Sequence, residues 1–345
     1  MVRSGVLSPA TSGEFIANNA DHVKIHENGL EKLCNEMLNS MKFNKLQIPD
    51  TGANINYLSK DHPRVIDWIF VCDALNFCFW SYTGAIKWTV ERHCGYYALE
   101  AALARAVKEG INITNPEYYS KITIEQLQNI LRGDNTAQIP LFQNRITILH
   151  EVGKILLEKY NGTFMTCLKE ADKSAVKLLD IIVTNFPCFQ DEAVFKGQKV
   201  SLYKRAQILV ADIWNFFSGT GLGEFKDIDE LTMFADYRVP QVLVYFGAMT
   251  YTDNFFVDNS VYTWWILMYQ KNVLLPNGSA EEVEIRGCSI HAVELIKKKI
   301  ASKLTDPSIE VPNSSLIDYY LWCYRRKYAK EMNSIPFHKT LAIYY

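Results

Sequence analysis

No strong charge of one sign marks this sequence. Its 345 residues carry 36 Lys and Arg against 38 Asp and Glu, a formal net charge of −2 with the two signs interspersed. A duplex-binding protein draws most of its affinity from a concentrated basic face. Here only Lys297-Lys298-Lys299 and Arg325-Arg326-Lys327 are dense in base. A long nucleic acid is therefore not an expected partner, whereas a single nucleotide is compatible with the balance. Paired cysteines are missing too. None of Cys34, Cys72, Cys78, Cys94, Cys167, Cys188, Cys288 and Cys323 forms a CxxC pair, and most sit in apolar stretches. That argues against a disulfide or zinc framework and fits buried thiols in a reducing compartment. The seven histidines are scattered, so no metal is expected. No window offers an uncharged membrane span, and MVRSGVLSPATSGEF lacks the apolar core of a signal peptide. A cytoplasmic chain, possible in the nucleus as well, with no membrane partner is the expectation. Walker, Rossmann, HExxH and GxSxG patterns are absent.

What is present is apolar mass. Hydrophobic residues make up 48% of the chain and aromatics 13%, enough to bury a large core and to rule out disorder for most of its length. Aromatics fill cores, but they also make flat walls for flat ligands. Ser8-Pro9 and Thr11-Ser12 precede a first capped helix in GEFIANNADHVKI. Helical spacing continues over Leu30 to Met41, Tyr96 to Glu109, Ile124 to Leu131, Gln143 to Tyr160 and Ser174 to Phe186. It returns over Lys204 to Phe217, Ser289 to Leu304 and Ser315 to Lys330. Ile48 to Arg64 reads as a loop. The run VIDWIFVCDALNFCFW, Val65 to Trp80, is too apolar for the surface, and periodicity leaves open a buried strand or a buried helix. Trp80 to Val90 and Val283 to Arg286 suggest strands. The glycines of GTGLG, Gly219 to Gly223, read as a helix stop and turn. The fold class expected is mainly α: a single domain over residues 1–345, with a small β element near residues 80–94. Residues 1–12 would be a flexible N-terminus, and the protein a monomer.

Three polar residues stand out. Asp236 lies between Phe234 and Tyr237, just before Val239-Pro240, where capping a helix is its simplest role. Asp318 is surrounded by Leu316, Ile317, Tyr319 and Tyr320, a costly place for a carboxylate unless it is paired or functional. Helical spacing puts Trp322 and Arg325 on its face, so an internal ion pair is one reading and a site the other. Lys204 opens a helix, and by pattern alone it is a solvated lysine.

Four segments together resemble the queuosine salvage protein family: LNFCFW (Leu75–Trp80), YKRAQ (Tyr203–Gln207), FADYRVPQ (Phe234–Gln241) and IDYYLW with the following YRR (Ile317–Arg326). The ending PFHKTLAIYY is similar to the family's as well. The resemblance covers nearly the whole chain, and DYRVPQ and LNFCFW are its most specific parts. It implies a helical fold related to the helix-hairpin-helix DNA glycosylases, with no metal or organic cofactor. The implied activity is hydrolysis of the N-glycosidic bond of queuosine 5′-phosphate, a small-molecule substrate, with release of the base queuine. By residue match, Asp236 is implied as the catalytic aspartate and Lys204 as the active-site lysine. Phe234, Asp318 and Tyr319 are implied in the base pocket, with Trp80 a further aromatic wall. Arg238, Arg325, Arg326, His338 and Lys339 are the cationic candidates for the phosphate. Two departures stand out: Cys323, where an acidic residue is expected, and Lys339 and Leu341, where arginine is usual.

The chemistry suits these residue types. Cleaving an N-glycosidic bond builds positive charge on the ribose, as in sugar hydrolysis. A fixed carboxylate stabilises that charge and orients or deprotonates water. Two other readings stand beside this one. The first is a non-catalytic helical binding module, with Asp236 a cap and Asp318 in an ion pair. The second is a glycosylase acting on DNA or tRNA, which the charge balance disfavours.

Overall fold

The computed structural model of the chain describes residues 3–42, 45–49, 58–82, 84–252, 255–257, 260–262, 273–306 and 308–345. Thirteen α-helices lie among these residues. They are α1 (Pro9–Asn18), α2 (Glu27–Asn39), α3 (Val65–Ala74), α4 (Tyr96–Lys108), α5 (Pro116–Tyr119), α6 (Ile124–Ile130) and α7 (Phe142–Lys159). After them come α8 (Phe164–Ala171), α9 (Ala175–Asn185), α10 (Lys204–Phe216), α11 (Val239–Tyr245), α12 (Ala280–Lys303) and α13 (Ser314–Lys327). The architecture is mainly α. Strands are confined to small two-stranded antiparallel pairs.

Short polar side chains set many of the helix starts. Ser8, Asn115, Thr123, Thr163, Ser174, Ser279 and Asn313 each accept from a first-turn N–H of the helix that follows. Those donors have no partner inside the helix, which is why such caps matter. The tight hairpins are equally local. Lys196 (φ 46°) and Gly197 (φ 82°) join strands Glu192–Phe195 and Gln198–Ser201, a two-residue turn whose positive φ values match strand twist. Glu91 (φ 50°) and Arg92 (φ 64°) do the same between Thr89–Val90 and His93–Cys94, with the Asp134 carboxylate accepting both of their N–H groups.

Two hydrophobic clusters form. One joins α3, α4 and α7 to α10, with Phe70, Phe164 and Phe186 packed ring against ring. The other joins α1, α2, α11, α12 and α13. Two of the places where the chain crosses between them bear on the site. Leu202 belongs to the second cluster and Tyr203 to the first; Phe234 belongs to the first and Ala235 to the second. Lys204 and Asp236 follow these two crossings directly, at a seam that apolar packing alone does not fill.

Four sequence expectations change. The Val65–Trp80 run resolves into helix to Ala74, then irregular chain. Buried Arg145 donates to the carbonyls of Leu75, Phe77 and Cys78, which meets the need of this buried backbone for partners without a strand. Trp80 to Val90 is not a strand; only the Thr89–Val90 end pairs. Val283–Arg286 is helical, because α12 starts at Ala280, after the Ser279 cap, rather than at Ser289. Its alternating letters mimic a strand because this part of α12 is buried on every side. The N-terminus is docked from Leu7, whose N–H and carbonyl pair with Lys199 and Ser201, and α1 begins at Pro9. A Cβ at Gly13 would lie 2.7 Å from Ile290, and one at Gly287 2.4 Å from Ile16, so the two glycines let α1 and α12 approach closely. Within the expected Ile48–Arg64 loop, residues 50–57 lie outside the described residues.

Candidate active site

Lys204 is the first residue of α10, held there by a capping carboxylate. Asp191 Oδ2 accepts from Lys204 N at 3.1 Å, and the Asp191 carbonyl accepts from Leu202 N at 3.0 Å. Tyr203, between them, sits in the left-handed region with φ 46°. Asp191 is itself gripped by Arg286, at 2.9 and 2.5 Å, and both side chains are buried. Arg286 then donates from Nε to the carbonyl of Ala235 at 3.0 Å and pairs with Glu282 at 3.1 Å. One buried guanidinium thus ties the start of α10, which carries Lys204, to the residue preceding Asp236. Such a pair is weak evidence for stability, but its fork fixes the relative position of two chain segments.

Asp236 is not the N-cap of α11, which is Arg238, but it serves the helix start from two residues before that cap. Its Oδ1 accepts from Arg238 N and Val239 N, each at 2.8 Å. Those bonds fix its orientation and leave Oδ2 for other work. Asp318, in the second turn of α13, accepts from Phe234 N at 3.0 Å. The expected pairing with Arg325 does not form; Arg325 donates instead to Gln241 at 2.9 Å.

Two cavities meet at Lys204 and Asp236. An inner pocket of about 120 Å³ is walled by Phe234, Tyr319, Trp322 and Ile208, with Asp212 and Asp318 as further acids. A wider cleft of about 600 Å³ carries Arg238, Arg325, Arg326 and Lys339, together with Trp80 and Tyr237. Asn76, Tyr96, Lys204, Asp236 and Trp322 line both. Aromatic faces and acids on one side and cations on the other suit a molecule with a flat base and an anionic tail.

Burial sets the electrostatics. It raises the Asp236 carboxyl above its usual range, and Lys204 and the two capping N–H groups pull it back. Burial lowers the Lys204 ammonium, and Asp236 opposes that. Asp318 is pushed well up by burial and then by the Asp236 charge. Each of Lys204 and Asp236 therefore favours the charged form of the other.

The cations of the cleft are partnered by a neutral amide and by rings. Gln241 Oε1 accepts from Arg238 at 3.0 Å and from Arg325 at 2.9 Å. Arg238 lies 4.2 Å from the Phe337 ring centre, and Arg326 4.6 and 4.9 Å from those of Tyr97 and Trp322. Burial and then the neighbouring guanidiniums lower Arg325 to about 10. Guanidiniums crowded on one neutral oxygen favour an anionic ligand.

The structure sorts the sequence candidates. Lys204, Asp236, Phe234, Asp318 and Tyr319 come together around the inner pocket, and Arg238, Arg325, Arg326 and Lys339 around the cleft. Trp80 is in the cleft rather than against the base pocket, its Nε1 donating to the Thr340 carbonyl. His338 is no phosphate cation: it is buried, within 3.2 Å of the Tyr345 hydroxyl, and burial with Arg286 nearby lowers it to about 3. Sequence reasoning missed Asn76, Tyr96, Asp212 and Trp322. The signal for Asp212 was Lys204-Ile208-Asp212, spaced four apart on one helical face.

Residues 55–345 match the family described as Queuosine salvage protein. A relative from Bos taurus is 43% identical over 350 residues, covering 99% of each chain; one from Mus musculus is 40% identical over 346 residues, covering 98% of this chain and 99% of its own. A relative from Sphaerobacter thermophilus is 36% identical over 301 residues, 86% of each chain. All three are named queuosine 5′-phosphate N-glycosylase/hydrolase. The chain belongs to the queuosine salvage protein family. Its departures from the expected family pattern fall unevenly. Cys323 is buried on α13 and lines neither cavity, and Leu341 is exposed. Lys339 does line the cleft, so this queuosine salvage protein presents an ammonium there. Among the described residues no helix is long and apolar enough to cross a membrane, and no group of three or more His, Cys, Asp or Glu could hold a metal ion.

Proposed function

We propose that this queuosine salvage protein hydrolyses the N-glycosidic bond of queuosine 5′-phosphate and releases queuine. The observation that carries the proposal is that buried Lys204 and Asp236, each favouring the other's charge, lie together at the junction of an aromatic, acidic pocket and a cationic cleft. With base in the pocket and phosphate in the cleft, the ribose spans the junction. Its C1′ then faces Asp236.

Bond breaking leaves positive charge on the ribose and the bonding electron pair on the base. The Asp236 carboxylate, preoriented by two N–H groups, stabilises that charge and directs a water to C1′. The water oxygen bonds to C1′, and its proton ends on the departing base. Lys204 favours the ionised form of Asp236 against its burial. Phe234 and Tyr319 stack on the ring, and Asp318 accepts from its guanine-like N–H edge. Arg238, Arg325, Arg326 and Lys339 take the phosphate. Binding energy from that remote group supports orientation at the scissile bond.

The test is direct. Purified protein is incubated with queuosine 5′-phosphate, and free base is followed by chromatography, with Asp236→Asn as control. Rapid release by the wild type and not by the variant is expected. Release from intact tRNA at a comparable rate, or none from the nucleotide, overturns the reading.

A further inference from the structure

The inner pocket carries more carboxyl groups than bond cleavage requires. Asp236 is balanced by Lys204 at the mouth, and Asp318 has Oδ1 committed to the Phe234 N–H. Asp212 remains. Helix α10 places it two turns beyond Lys204, about 12 Å along the axis, with Ile208 between them on the same wall. Its hydrogen-bond contact is the Tyr96 hydroxyl at 3.5 Å, the outer limit for such a bond. Among the described residues no lysine or arginine pairs with it at salt-bridge distance. The Asp212 charge in turn helps to hold buried Asp73 toward its neutral form. Burial raises Asp212 to about 7, against the pull of Tyr96 and then Lys204, so a neighbouring cation can decide its charge.

A flat purine-like base has two polar edges, and this pocket has two acids to spare. Queuine offers N1–H and amino donors on its guanine-like edge. On the opposite side, carbon 7 carries an aminomethyl group that is cationic at neutral pH. We infer that Asp212 is a specificity residue that accepts this ammonium, while Asp318 reads the guanine-like edge. The inference rests on the function proposed above. It also accounts for rejection of ordinary guanine nucleotides. Guanine has a bare N7 acceptor on that side, and a carboxylate facing it is repulsive, so one residue both attracts the correct base and repels the common one.

The test compares the affinities of two free bases, queuine and 7-deazaguanine, by calorimetry on the whole chain. The bases share the fused ring pair and the donor edge; queuine adds the ammonium and, beyond it, a cyclopentenediol, so the loss of preference on Asp212→Asn is what isolates the ammonium. Wild type should prefer queuine by about 30-fold or more, the effect typical of a desolvated charge pair. Asp212→Asn should cut the ratio by about tenfold or more, and Asp212→Glu, which keeps the charge, should restore most of it. Melting curves confirm that each variant is folded; if Asp212→Asn is not, the glutamate variant and the wild-type ratio still decide. A wild-type ratio near one, or an asparagine ratio within threefold of wild type, overturns the inference. Failure of the hydrolysis reading looks different: no base is released from the nucleotide, whatever the ratio.

Discussion

Replacing Asp236 by asparagine separates capping from catalysis. The asparagine oxygen can still accept from Arg238 N and Val239 N, which Asp236 Oδ1 holds at 2.8 Å each, so the start of α11 survives. What changes is the other arm. An amide NH₂ replaces the carboxylate oxygen beside Lys204, whose charge is stabilised mainly by Asp236. Lys204, already lowered by burial, can shed its proton, which limits the stability loss to about 1–3 kcal/mol, the cost of one unsatisfied buried group. The rate effect is larger. An amide cannot balance charge on the ribose or take a proton from water, and loss of one preorganised group costs about 10²–10³ in kcat, about 3–4 kcal/mol. Single-turnover base release, nucleotide affinity and a melting curve on one preparation measure all three quantities. Affinity should change little. Turnover within about threefold of wild type, under ~1 kcal/mol, would refute the reasoning and leave Asp236 as a cap.

Three further outcomes are expected. Asp191→Asn deprives buried Arg286 of its bidentate partner; stability should fall by about 3–5 kcal/mol in urea titrations, and kcat should drop more than KM rises because the Lys204 and Asp236 segments lose their shared anchor. Arg326→Gln, which removes a cleft cation stacked on Tyr97 and Trp322, should shrink the preference for nucleotide over nucleoside by about tenfold or more in kcat/KM; an unchanged preference places the phosphate elsewhere. Asp212 is raised from 3.8 to about 7 in the folded chain, so the folded state holds a proton that the unfolded state releases. Its contribution to stability is present at low pH and lost as pH rises between about 4 and 7. Relative to Asp212→Asn, wild type should therefore lose melting temperature across that window and no further above it; a constant difference contradicts the raised value.

The sequence by itself determined most helices, because their signals are local. The Ser8 cap and the 3.6-residue spacing of α4, α7 and α10 depend on nothing distant. The candidate site residues came from short motifs around Lys204, Phe234, Asp236 and Asp318, not from periodicity, which read Lys204 as solvated. Only the tertiary structure decided which side chains meet. Val65–Ala74 became helix and Val283–Arg286 lost its strand-like appearance because both are buried on every side, and there a periodic pattern has no polar face to display. Asp318 chose the Phe234 N–H over Arg325 because that partner lies 84 residues away in the chain, a contact that helical spacing cannot register. His338 and Trp80 moved out of their expected roles for the same reason: burial is a property of the whole packing. Asp212 stayed hidden as one acid among 38 until α10 turned it toward the pocket that Lys204 also lines.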